Sequence, residues 1–172
     1  MYYGTEQGLH GRGSDPAVRE ALWGAPGFDQ GSAFYREVQR LAKVRAEQSA
    51  LRYGRFYFRP VSGDGQTFGI SPFQQGVLAF SGILNDEELL VVANTNTSQR
   101  QSVDAIVEIQ LNEENSGHRV LYSNDSAPVA PGPVRRTGAV TVHEVDGTGG
   151  NGPLHVVRVT LQPMEVQILG SP

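Results

Sequence analysis

Cysteine is absent from the sequence, tryptophan and lysine occur once each, and no long apolar run is present. The lack of cysteine excludes disulfides, thiolate metal sites and cysteine nucleophiles. It is compatible with either redox compartment, so the location stays open, with the cytoplasm slightly favoured. No stretch reaches the roughly 18 apolar residues of a membrane-spanning helix, and residues 1–13 lack the basic and apolar regions of a signal peptide. These absences predict a soluble chain without a membrane partner.

Basic residues are scarce in the second part of the chain. Up to Arg59 there are nine basic and six acidic residues, whereas from Pro60 onward there are five basic and twelve acidic ones. Nucleic-acid binding requires a positive stripe that neutralises phosphates, so no nucleic-acid partner is predicted. The short pair Arg135 and Arg136 is expected to be solvated.

Glycine and proline are abundant, at 21 and 10 of the 172 residues, and this content favours many turns over a helical bundle. The length allows one domain or slightly more. Residues 1–31 are glycine-rich and aperiodic, which predicts a long loop. An irregular segment of this length is unusual in a compact domain, so it is interpreted as functional, disordered or part of a larger domain.

One helix is predicted, over residues 34–52. It places Phe34, Val38 and Leu41 on a single apolar face. Ser32 precedes it as a candidate N-cap, and a glycine follows it as a stop signal.

After residue 54 the hydrophobic period changes to two, which is typical of β-strands. Nine strands are predicted, at 56–58, 67–70, 77–83, 88–95, 104–111, 118–123, 139–145, 154–161 and 165–169. Turn signals separate them, including Asn85-Asp86 and the glycine-rich run 147–153, which is interpreted as a hairpin loop. No helix is available for the crossovers of parallel strands. The prediction is therefore a mainly β fold with an antiparallel, Greek-key-type β-sandwich.

Five segments form an ordered set of motifs along the chain. They are YYGTEQGLHG at 2–11, DPAVREALW at 15–23, ALRYG at 50–54, VLAFSGILNDEELLVVANTN at 77–96 and VTLQPMEVQILG at 159–170. The set resembles the end of the catalytic barrel and the C-terminal β domain of the α-amylase superfamily of glycoside hydrolases. One departure is Gly82, where the family commonly has an arginine.

The resemblance implies a division of the chain near residue 50. Residues 1–50 are expected to be the last strand end, loop and helix of an incomplete TIM-type (β/α)8 barrel, and residues 51–172 the C-terminal β-sandwich domain. The implied function is the non-catalytic C-terminal portion of a glycosidase or transglycosidase acting on α-glucans or related sugars. The expected partners are the catalytic barrel of the parent chain, which the β domain stabilises, and an α-glucan.

The resemblance also bears on catalysis. The family's Asp nucleophile, Glu acid/base and stabilising Asp all fall upstream of Met1. The chain is therefore interpreted as a fragment, no catalytic residue is assigned, and the chain alone is expected to be inactive. Hydrolysis needs two carboxyl groups flanking the scissile bond, and only Glu6 and Asp15 are near the first loop.

The candidate substrate-binding residues of the parent enzyme are Tyr3, Glu6, His10 and Arg19. Structural alternatives stay open: Glu6 can brace the site or be inert, His10 can be a solvated loop residue, and Arg19 can form an ion pair. Asp15 can start a turn before a proline, and Trp23 can pack in its own domain or stack on a sugar ring.

No metal or cofactor is predicted, because the four histidines are scattered without the spacing of metal ligands. Two other functional classes stay open. One is an autonomous carbohydrate-binding sandwich, although Tyr122 is the only aromatic residue after Phe80. The other is an oligomerising module, in which the apolar helix face of Phe34, Val38 and Leu41 pairs two copies as a homodimer.

Overall fold

The structure is a computed structural model, and it describes residues 4–9, 14, 28–70, 76–143 and 149–172. The chain divides into two compact units, Met1–Glu47 and Gln48–Pro172. Among the described residues, no helix is long and apolar enough to cross a membrane.

The first unit contains a short 3-10 helix, Thr5–Gln7, and helix α1, Ala33–Glu47. Ser32 caps α1 as predicted, because its hydroxyl accepts a hydrogen bond from the Tyr35 amide at 3.1 Å. The same hydroxyl donates to the Glu6 carbonyl at 3.2 Å. One side chain therefore ties the start of α1 to the 3-10 helix.

The second unit starts with a short helix, α2, which covers Ala50–Tyr53. The predicted helix over 34–52 is thus interrupted after Glu47. Twelve strands follow in the described ranges: β1 Arg55–Phe58, β2 Val61–Ser62, β3 Thr67–Phe68, β4 Val77–Leu84, β5 Glu87–Asn94, β6 Gln101–Val107, β7 Arg119–Ser123, β8 Val134–Arg136, β9 Thr141–His143, β10 Gly149–Asn151, β11 His155–Leu161 and β12 Val166–Gly170.

Two antiparallel sheets form the body of this unit. The larger has the strand order β1-β4-β5-β12-β7, and the smaller has the order β2-β6-β11-β8. Their facing sides enclose the main core, to which Leu90 and Val92 contribute from β5, Val103 from β6, and Val157 from β11. Alternate residues of a strand point to opposite faces, which is why these positions recur at a spacing of two. The predicted antiparallel β-sandwich is confirmed.

A third sheet, in the order β10-β9-β3, lies over the outer face of the four-stranded sheet. Phe68, Val140 and Val142 form a second small core with Ile106 and Val156, the outward-facing neighbours of main-core residues. Here β3 and β9 pair in parallel, which differs from the fully antiparallel prediction. The chain between them runs through the two larger sheets, so the pair needs no helical crossover.

Strand boundaries differ from the prediction where turns end a strand early. The strand predicted over 104–111 stops at Val107, because the amides of Leu111 and Asn112 both donate to the Glu108 carbonyl at 3.1 Å. Ile109, which lies in the part of the predicted strand that is not formed, is 48% exposed as a result. Strands β2 and β8 were not predicted, and β10 lies within the glycine-rich run that was interpreted as a loop.

Two glycines allow α2 to lie against β4. A Cβ at Gly54 would lie 2.9 Å from the Ile83 carbonyl oxygen, and a Cβ at Gly82 would lie 2.9 Å from the Ala50 carbonyl oxygen. The arginine that the family commonly has at position 82 would collide with α2 in this arrangement.

Candidate functional site

The substrate residues predicted from the sequence are only partly described. Glu6 lies in the 3-10 helix and is half-buried. The other three, and the loop residues weighed with them, lie outside the described residues: Tyr3, His10, Arg19, Asp15 and Trp23. Their assignment to a substrate site stays a prediction.

The second unit carries a charged groove of about 560 Å³ on the outer face of the four-stranded sheet. Its lining residues are polar, charged or glycine: Asp64, Gly65, Gln66, Asp104, Arg135, Arg136, Thr137, Gly138 and Arg158. The turn after β2 forms one wall and the segment after β8 forms the other. The floor comes from β6, β8 and β11, so the groove is built on a sheet.

Asp104 organises the floor of the charged groove. It is 5% exposed, and its Oδ1 accepts a hydrogen bond from Arg135 Nη2 at 2.7 Å. Its Oδ2 lies 3.4 Å from Arg158 Nη1. Arg135 and Arg136 are exposed on β8, as expected of a solvated pair. Strand β8 also brings Arg135 beside a buried carboxylate that requires a counter-charge, which was not expected.

Asp64 stands in the wall of the charged groove. Its Oδ1 accepts hydrogen bonds from the Thr67 amide at 2.9 Å, from the Gln66 amide at 2.8 Å and from the Ser62 hydroxyl at 2.8 Å. These bonds favour the ionised carboxylate and lower the pKa of Asp64 to about 2. Because a general acid must hold its proton near neutral pH, Asp64 is unsuited to the general-acid role in glycoside hydrolysis.

A second, smaller hollow of about 350 Å³ lies beside β1 and is called the Tyr57 hollow. It is lined by Tyr57, Arg59, Ile83, Asn85, Glu108, Gln110 and Leu111. The Tyr57 side chain is 45% exposed, and the Arg59 guanidinium carbon lies 5.9 Å from its ring centroid. The sequence pattern marked residues 56–58 only as a strand, so this site was missed. The three consecutive aromatic residues 56–58 were the only signal in the sequence, and they do not indicate that Tyr57 lies exposed beside Arg59.

A buried polar network fixes Arg59 below the Tyr57 hollow. Glu88 is 3% exposed, and its Oε1 accepts a hydrogen bond from Arg59 Nη2 at 2.8 Å and another from the Ser81 hydroxyl. Its Oε2 accepts from the Glu108 amide at 2.8 Å and from Asn112 Nδ2 at 2.6 Å. The Arg59 guanidinium is therefore held in a fixed position beside the hollow.

An aromatic patch lies on the opposite face of β1 and consists of Phe56, Phe58 and Phe80. Phe56 and Phe58 are 57% and 61% exposed, and the Phe56 ring meets Phe80 edge-to-face with centroids 5.9 Å apart. Strand β1 is the edge of its sheet. Large exposed aromatic groups at a sheet edge are typical of an interface.

Metal binding finds no support in the described part of the chain. No group of three or more histidine, aspartate or glutamate side chains there is arranged to hold a metal ion.

No family model matches the chain, but it is similar in sequence to parts of longer characterised proteins. It is 51% identical over 113 residues to alpha-amylase 1 of Schwanniomyces occidentalis. The aligned region covers 62% of this chain and 22% of that protein. It is 32% identical over 105 residues to a cyclomaltodextrin glucanotransferase of Bacillus sp. strain 1-1, covering 59% of this chain and 14% of that protein.

A solved structure shares the fold. The debranching enzyme from Nostoc punctiforme superposes with a TM-score of 0.54 at 19% identity, covering 91% of this chain and 24% of that one. The chain thus spans less than a quarter of the length of each of these proteins. The resemblance found in the sequence is confirmed, and this chain is homologous to a part of the α-amylase-family enzymes.

Proposed function

We propose that this chain is the C-terminal, non-catalytic portion of an α-amylase-family glycosidase or transglycosidase that acts on α-glucans or related sugars. Residues 1–50 form the end of the catalytic barrel, and residues 51–172 form a β domain that packs on the barrel and stabilises it. The observation that carries this proposal is the aromatic patch.

The aromatic patch fits a partner within the same polypeptide. Its phenylalanines present large apolar surface at a sheet edge, which a protein surface rarely leaves uncovered. The homologous enzymes are several times longer than the part that matches this chain. A catalytic barrel in the remainder of such an enzyme supplies the covering surface.

The buried carboxylates of the β domain support a non-catalytic role. Asp104 and Glu88 are engaged by arginines. The Glu165 carboxylate accepts hydrogen bonds from the Ser123 hydroxyl at 2.8 Å and from Gln167 Nε2 at 2.7 Å. None of these three is free to act as a nucleophile or to deliver a proton to a glycosidic oxygen.

A chimera tests the packing proposal. The matching part of the Schwanniomyces occidentalis alpha-amylase is replaced by this chain, and amylase activity and thermal unfolding are measured. The chimera is expected to be active, and Phe58→Asp is expected to lower its melting temperature by several degrees, because a charge is buried at the interface. The pure 172-residue chain is expected to release no reducing sugar from maltooligosaccharides.

Met164→Asp is the matched control, since Met164 is 54% exposed in the turn before β12 and away from β1. Equal melting temperatures for the Phe58→Asp and Met164→Asp chimeras would contradict packing through the patch. Reducing sugar released by the pure chain would contradict the non-catalytic role.

The Tyr57 hollow favours a second role, contact with the glucan. A tyrosine face suits the apolar face of a sugar ring, and the amides of Asn85 and Gln110 can donate to and accept from hydroxyl groups. We therefore place a remote glucan contact at this hollow, fixed by the Arg59–Glu88 network.

Calorimetric titration of the full chain with maltoheptaose tests this contact. A saturable heat is expected, and Tyr57→Ala should weaken binding at least about fivefold through the lost stacking, roughly 1 kcal/mol. Tyr53→Ala is the control, because Tyr53 is also exposed but does not line the hollow. Identical affinities of the two variants for maltoheptaose would contradict a glucan contact at Tyr57.

For the chain by itself, we propose self-association through α1. None of its fifteen residues is buried, and Phe34 and Leu41 are both exposed. The apolar face predicted from the sequence is therefore present on the helix and can pair two copies.

A further inference from the structure

The charged groove has properties of a ligand site that the packing role does not use. Its two arginines over Asp104 are oriented by a buried carboxylate, and its wall at Asp64 is stiffened by three hydrogen bonds within one turn. The groups that line it are thus pre-organised, which lowers the entropy cost of binding a ligand.

The groove has an excess of hydrogen-bond donors. A guanidinium offers five N–H groups in a planar fork that matches an oxyanion. The Arg135 and Arg158 side chains are 52% and 40% exposed, so they are not enclosed by Asp104. Arg136 is exposed on β8, and no ion pair joins it to any described residue.

Charge and composition favour an anion over a neutral sugar. Three arginines face two carboxylates, and one of these, Asp104, is already neutralised by two arginines. None of the lining residues is aromatic, whereas neutral sugars are held largely by stacking on aromatic faces. Phosphate oxygens, in contrast, accept strong and often bidentate hydrogen bonds from arginine forks.

The size of the groove and the position of Asp64 indicate which class of phosphorylated molecule it fits. A volume of about 560 Å³ is that of a small-molecule site and exceeds the space of a free phosphate ion. The Asp64 carboxylate is exposed in the groove wall, and an ionised carboxylate accepts hydrogen bonds from hydroxyl groups. We infer that the charged groove binds a sugar phosphate, with the phosphoryl group on Arg135, Arg136 and Arg158 and a sugar hydroxyl on Asp64.

Calorimetric titration of the full chain with glucose 6-phosphate, inorganic phosphate and glucose tests this inference. Glucose 6-phosphate is expected to bind saturably, inorganic phosphate more weakly, and glucose without measurable heat. Affinity for glucose 6-phosphate should fall as salt is added, because the contacts are ionic and partly exposed. Equal affinity for inorganic phosphate would overturn the sugar-phosphate assignment, and no saturable heat with either anion would overturn the site.

Arg136→Ala is the decisive variant, because Arg136 supports no ion pair within the described fold. It is expected to weaken glucose 6-phosphate binding about tenfold or more, which is the scale of one charged hydrogen bond. Arg100→Ala removes the same charge at an exposed position outside the groove and should leave affinity unchanged. Equal losses of affinity in the two variants would show that net charge alone causes the effect. This result would overturn the site.

Arg135→Lys provides a second readout. It keeps the positive charge but loses the planar fork, so the affinity for glucose 6-phosphate should fall while the affinity for maltoheptaose is unchanged. A parallel loss for both ligands would indicate a folding defect and overturn a specific role for Arg135.

Discussion

His118 lies just before β7 with both ring nitrogens buried and without a hydrogen-bond partner among the described residues. Burial lowers the pKa of His118 below its ordinary value, and the negative charge of Glu88 opposes this shift only in part. The folded chain therefore holds the neutral imidazole. The unfolded chain takes up a proton more readily, so the free energy of unfolding decreases as pH falls below about 6.5.

The variant His118→Leu is expected to flatten this pH dependence. Urea unfolding between about pH 7 and about pH 5 should show a smaller loss of stability for the variant than for the unchanged chain, because no imidazole remains to be protonated on unfolding. An unchanged slope in His118→Leu would show that other groups set the acid sensitivity.

Residues of the charged groove show which contacts a single sequence does not predict. The Arg135–Arg136 pair has no local pattern that predicts a buried partner. Its partner Asp104 lies two strands away in the sheet and far away in the sequence. Long-range pairing of this kind depends on sheet order, which a period of two along one strand does not contain.

Several strands and their connections are held together by Glu88 rather than by apolar packing alone. The carboxylate on β5 reaches Ser81 on β4, Arg59 after β1, and the Glu108 amide and Asn112 after β6. A buried ion pair contributes little net stability compared with an apolar replacement, but removal of one partner leaves an uncompensated charge.

Glu88→Ala is accordingly expected to lower the free energy of unfolding by about 3–5 kcal/mol, since Arg59 loses its buried counter-charge. Chemical denaturation measures this as a lower midpoint. Glu114→Ala, at an exposed position after β6, should change stability by less than about 0.5 kcal/mol. A small effect at Glu88 would mean that water reaches Arg59 when the carboxylate is removed.

Elements with a long and regular pattern were predictable, whereas the short strands were predicted only in part: β1, β3 and β9 were located, and β2 and β8 were not. The hairpin of β4 and β5 was located through its alternation and through Asn85, whose φ of 54° fits the tight turn. Strands β2 and β8 have two and three residues, too few to show a period. Ser32 marked the start of α1, but nothing in the helical pattern marked the break after Glu47.

At the scale of the whole molecule, the order of motifs was more informative than any of them alone. The sandwich followed from strand spacing, and the family followed from the ordered segments. The charged groove and the Tyr57 hollow could not be predicted, because each gathers side chains from strands and turns that are distant in sequence. A single sequence indicates where strands form. It does not indicate which turns become neighbours in the folded sheet.

The exposed face of α1 leads to a prediction about the isolated chain. Burial of Phe34 and Leu41 against a second copy would remove apolar surface from water at about 25 cal/mol per Å². The chain is therefore expected to dimerise, and light scattering should give the mass of two copies. The double variant Phe34→Gln, Leu41→Gln should return the mass to one copy. Phe28→Gln changes an exposed phenylalanine of the same unit outside α1 and should leave the dimer intact. A single-copy mass for the unchanged chain at high concentration would contradict pairing through this helix.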